Sequence, residues 1–66
     1  MKTFVDYNVW KIAYHAICRE VGVSKVMVTL EEQYGIDDWI VNNDFSQIKI
    51  SCVDERLVTE FLLRWA

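Results

Sequence analysis

Between Val9 and Val21 apolar residues recur at helical spacing over an arc too wide for any one surface to cover. At about 100° per residue, Val9, Trp10, Ile12, Ala13, Tyr14, Ala16, Ile17 and Val21 span about 200°, or about 240° with Cys18, against roughly 100–140° for an ordinary surface helix. Such a helix must be covered from more than one side. Asp6 or Asn8 is placed to cap its start, and Gly22 stands where a left-handed C-terminal cap is wanted. Only Lys11, His15 and Arg19, at i, i+4 and i+8, keep a polar face on it.

The rest of the chain supplies the cover. Lys2 to Tyr7 is rich in strand formers and reads as a first strand. Asp38–Asn42 and Gln47–Val53 read as the two strands of a hairpin, with Ile48, Ile50 and Cys52 on its inner face and Lys49 and Ser51 on the other. Asp54 caps a last helix, with Glu55 in the first turn where the helix dipole favours a carboxylate. Leu57, Val58, Phe61, Leu62 and Trp65 make its apolar stripe, and Leu63 falls on the wet side. Ser24–Tyr34 fits two periods. Val26, Val28 and Leu30 alternate as in a strand, whereas Val23, Val26, Leu30 and Tyr34 share one face of a helix that Ser24 would cap and Gly35 would end. The expected fold is α+β, a single domain over residues 1–66. It has a small antiparallel sheet with two helices packed on one face, in the order β-α-(x)-β-β-α.

A 66-residue chain has room for one domain and buries only about 60% of the surface its unfolded form exposes. Hydrophobic residues at 53% and aromatics at 14% exceed what so small an interior hides, so some face outward. Self-association, with a dimer as the simplest closed form, is the expected remedy. Cys18 and Cys52 read as small apolar fillers rather than a disulfide framework. No apolar run approaches the roughly 20 residues that span a bilayer. With no apolar leader at the N-terminus, a cytoplasmic location is expected. The net charge of −3 has the wrong sign for general nucleic-acid binding. Acidic residues concentrate in the middle, where Glu31, Glu32, Asp37, Asp38 and Asp44 occur and Lys and Arg are absent between Lys25 and Lys49.

The run Asp54, Glu55, Arg56, Leu57, Val58, Thr59, Glu60, Phe61, Leu62, Leu63, Arg64, Trp65 resembles the ending of many short bacteriophage proteins of unassigned function. Those share an acidic helix start, a Phe-x-Leu-Arg-Trp-type close and a β-α-β-β-α order. The resemblance implies a viral origin, a bacterial cytoplasm, no catalytic residue to carry over, and action by binding host machinery, as in host takeover or counter-defence.

Chemical constellations are sparse. There is one histidine and no Gly-rich phosphate loop or nucleophile motif. His15 and Cys18 are neighbours on a helix, yet a tetrahedral metal site needs about four ligands. Neither a metal nor another cofactor is expected, and the chain is read as a non-enzymatic interaction protein. Its candidate contact residues are those the core argument leaves over, Trp10, Tyr14, Trp39, Phe45 and Leu63, with Asp37 and Asp38 as steering charges for a basic partner. The alternative is an oligomer that sequesters a nucleotide or similar anion at a subunit interface through Lys11, His15 and Arg19.

Overall fold

The computed structural model describes residues 1–65. Its elements run β1 (Lys2–Asp6), α1 (Tyr7–Val21), a 3₁₀ turn (Val23–Lys25), α2 (Val26–Tyr34), β2 (Ile36–Val41), β3 (Gln47–Cys52) and α3 (Glu55–Trp65). The strands form one antiparallel sheet in the order β1-β3-β2, so the last strand in the chain is the central one. The α+β reading therefore holds, with three helices in place of two.

Local chemistry explains the boundaries. The Asp6 carboxylate accepts from the Asn8 and Val9 amides at 3.0 and 3.2 Å, which starts α1 at Tyr7, a residue the strand pattern had claimed for β1. Gly22 closes α1 with φ 90° and ψ 149°, a glycine conformation but not the expected left-handed helical cap, while its amide still donates to the Cys18 carbonyl. The left-handed cap occurs instead at Gly35, φ 63° and ψ 25°, whose amide returns to the carbonyls of Glu31 and Leu30. That cap settles the two-period segment as helix. Val26, Leu30 and Tyr34 are buried, whereas Val28 is exposed, as is Val23 outside the helix. Ser24 lies inside the 3₁₀ turn and makes no cap hydrogen bond. Asp54 caps α3 through the Arg56 amide at 2.9 Å and also holds the Arg56 guanidinium.

Ile48, Ile50 and Cys52 face inward from β3 and are buried, as their alternation requires. On β2 the inward residues Ile36 and Trp39 stand three apart, an interval that strict alternation does not allow. A bulge at Asp37 absorbs the extra residue, where pairing passes from Ile36↔Cys52 to Asp38↔Ser51. Both aspartates are exposed as a result. In an unbulged strand Asp38 would point into the core.

The core is Trp10, Ala13 and Ile17 of α1, Val26, Leu30 and Tyr34 of α2, Ile36, Ile48, Ile50 and Cys52 of the sheet, and Val58 and Phe61 of α3. Phe61 is fully buried between Trp10 and Tyr34, with ring centroids at 5.4 and 5.1 Å. The Trp65 indole donates to the Tyr34 hydroxyl at 2.9 Å and ties the last turn of α3 to the end of α2. No buried side-chain nitrogen or oxygen lacks a partner among the described residues. Both cysteines are free thiols, Cys52 buried and Cys18 half-buried. Burial pushes the Cys52 thiol up from its ordinary value.

Candidate functional site

The aromatic residues of α1 and β2 form the most distinctive local structure on the molecule. Tyr7, Trp10 and Tyr14 follow one another at helical spacing along the flank of α1 that faces β2, where Trp39 and Val41 complete the opposite wall. Trp10, Tyr14 and Trp39 make a closed triad, with centroids 5.5 Å apart for Trp10–Trp39, 5.7 Å for Tyr14–Trp39 and 6.0 Å for Trp10–Tyr14. These separations are in the range where tilted and edge-on rings attract. Trp10 is 3% exposed. This corrects its assignment as a leftover contact residue, because Trp39 and Phe61 converge on it from distant parts of the chain. Tyr14 and Trp39 are half-buried, each with part of its surface open to solvent. Burial raises the Tyr14 hydroxyl above its ordinary value, and its neighbour Cys18 adds to the shift through charge and a hydrogen bond.

A groove of about 160 Å³ lies along this wall, with Lys11 and His15 among its lining. The two residues stand one helical turn apart on α1. Arg19, the third member of the basic row, is not part of it. It borders an open depression with Ile12, His15 and Cys18, to which no second element contributes. All three residues of the row are exposed, and the sole ion pair among the described residues is Arg56–Asp54, so none of the three is paired with a carboxylate. No cluster of three or more His, Cys, Asp or Glu is arranged around a common point among the described residues.

The hairpin tip carries a second unusual feature. Phe45 has φ 57°, the sole non-glycine in the left-handed region among the described residues, and is 64% exposed. Hairpins that place a left-handed residue after the turn usually put glycine there. The conformation is held by its neighbours. Asn42 Oδ1 accepts from the amides of Ser46 and Gln47, and Asp44 Oδ1 accepts from the Ser46 amide at 3.1 Å and its hydroxyl at 2.7 Å. Those bonds from Ser46 hold the Asp44 carboxyl below the usual carboxylate range. The Phe45 ring meets Tyr7 edge-on at 6.0 Å and so extends the aromatic wall to the tip.

The remaining candidates are scattered. Leu63 is 81% exposed on α3, as its place on the wheel requires. Asp37 and Asp38 lie at the bulge on β2, and Asp38 accepts from the Trp39 amide. The outer face of the sheet was not anticipated. Phe4, Lys49 and Ile40 form one row across β1, β3 and β2, and both apolar members are 62% exposed. Their outward places in the strand alternation were the available signal. No helix among the described residues is long and apolar enough to cross a membrane.

Comparison with known proteins finds no matching family model, no matching curated protein and no matching solved structure.

Proposed function

We propose that this protein is a non-enzymatic interaction protein that self-associates and binds a protein of a bacterial host, the partner class implied by the resemblance of its C-terminal helix to short phage proteins. The observation that carries the reading is Phe45. A non-glycine residue in the left-handed region costs about 1–2 kcal/mol, and beyond its edge-on contact with Tyr7 this one gains little in return, remaining 64% exposed. Asparagine or glycine would serve the turn better. A strained, exposed phenylalanine at the tip of a hairpin is explained by a contact made outside the chain. Val9 and Ile12, the part of the wide α1 arc left exposed after the core has taken Trp10, Ala13 and Ile17, supply the self-contact.

Light scattering at micromolar concentration is expected to give a mass above the 7.8 kDa of one chain, with Ile12→Ser returning it to the monomer. Capture from bacterial lysate, read by mass spectrometry, is expected to recover a partner with the wild type and not with Phe45→Asn, whose melting temperature equals or exceeds the wild type's. A monomeric wild type, or a Phe45→Asn variant that retains the same partner, refutes the proposal.

A further inference from the structure

The groove between α1 and β2 is a site of a different kind, and its reading is independent of the protein contact proposed above. Its long wall is made of rings. Tyr14 and Trp39 present surface to solvent, with Trp10 behind them as a rigid backing that the core fixes through Phe61. A space of about 160 Å³ is well below the 300–1,000 Å³ of pockets for drug-sized ligands, and is of the size of one flat ring system. Every aromatic ligand offers a face that stacks on such walls whatever its identity. The one full charge in its lining is positive, that of Lys11. Lys11 and His15 flank the rings, no carboxylate lines the groove, and no carboxylate pairs with either residue. In a chain of net charge −3 this is a local reversal.

We infer that the groove binds a small molecule consisting of one flat aromatic ring system and one anionic group, the ring stacked on one of the steeply inclined Tyr14 and Trp39 rings and met edge-on by the other, and the anion held by Lys11 and His15. A nucleotide and an aromatic carboxylic acid share this chemistry. The geometry assigns no part to Arg19, which borders a different depression.

The three indole N–H groups give a direct readout, because Trp10 and Trp39 belong to the wall while the indole N–H of Trp65 is engaged by Tyr34. Nitrogen-15 spectra of the full chain would be titrated with adenosine 5′-monophosphate and with benzoate, and with adenosine and inorganic phosphate as the halves of the first. At least one of the two anionic aromatics is expected to shift the Trp10 and Trp39 signals saturably and leave Trp65 in place. Adenosine and phosphate alone are expected to bind more weakly. The double variant Lys11→Gln/His15→Gln, with an otherwise wild-type spectrum, is expected to lose about tenfold or more in affinity, since charge-assisted hydrogen bonds carry the anion. Arg19→Gln is expected to bind as the wild type does. Which of the two probes saturates separates a nucleotide site from an aromatic-acid site. Absence of saturable shifts up to millimolar probe, shifts confined to Trp65, adenosine binding as tightly as its phosphate, or a double variant with unchanged affinity overturns the inference.

Discussion

Replacing Phe61 by alanine tests whether one ring joins all the helices. Phe61 is fully buried, and its ring lies against Trp10 of α1 on one side and Tyr34 of α2 on the other. Phe-to-Ala changes in cores cost about 3–5 kcal/mol, and because alanine leaves both neighbouring rings without their partner, this site belongs in the upper half of that range, about 4–5 kcal/mol. A 66-residue domain has about 3–10 kcal/mol of stability in total, so the variant is unfolded at the lower end of that range and keeps about half of its stability at the upper end. At about 4–8 °C per kcal/mol for a domain this small, the melting temperature falls by roughly 16–40 °C, or no folded baseline is seen. Far-ultraviolet circular dichroism against temperature, with near-ultraviolet dichroism to report ring packing, measures both effects. Phe61→Leu, which keeps most of the volume, should melt between the two. An alanine variant melting within about 5 °C of wild type would refute the central place given to Phe61, because it would bound the loss near 1 kcal/mol.

The hydrogen bond from the Trp65 indole to the Tyr34 hydroxyl is expected to show a coupling of about 1 kcal/mol in a double-mutant cycle of Tyr34→Phe and Trp65→Phe by urea melts. Asp54 is held below the usual carboxylate range by the Arg56 side chain and then by the Arg56 amide, so its folded-state value lies below its unfolded one. The stabilisation is therefore present above pH of about 4 and is lost as pH falls through the folded value, and Asp54→Asn should flatten that acid limb of the stability profile. Of the two thiols, Cys18 should react with iodoacetamide under native conditions while Cys52, buried and shifted upward, reacts only on unfolding; peptide mapping of the singly labelled protein checks the assignment.

Most of the fold is legible in the chain because local signals agree with tertiary demand. Asp6 and Asp54 are caps with carboxylates that reach the expected amides, and the Ile48–Ile50–Cys52 alternation sets which face of β3 is inside. α2 is ambiguous in sequence for a physical reason. Val26 and Leu30 satisfy both periods while Val28 fits the strand alone, so what decides is whether Val28 has something to face; in the fold it has nothing and is 55% exposed. The three-residue interval from Ile36 to Trp39 encodes the bulge, but only once both residues are known to point inward. The candidate site is legible in part. Helical spacing marks Lys11 and His15, and surplus aromaticity marks Tyr14 and Trp39, but joining the two sets requires knowing that the flank of α1 beside Lys11 lies against β2. Trp10 reads wrongly as a surface residue because burial of a large ring is decided by which distant residues converge on it. The backbone of Phe45 is not legible, since phenylalanine is a poor choice for a left-handed position.

The order of strands has a kinetic corollary. β2 and β3 are joined by a short loop and pair locally, whereas β1 reaches its partner only by closing the long stretch of chain between Asp6 and Gln47. The hairpin is expected to pair first, since it closes a short loop, and the N-terminal strand to dock later against a larger loop-closure entropy. By microscopic reversibility it is also the strand that leaves first. Amide hydrogens of Lys2–Asp6 should therefore exchange with solvent ahead of those that β3 shares with β2. While β1 is undocked, one whole edge of the central strand has no partner, and that edge belongs to the segment carrying Ile48 and Ile50. An open edge of this kind recruits strands from other molecules, so docking of β1 covers the central strand and moves the exposed edge onto its own five residues.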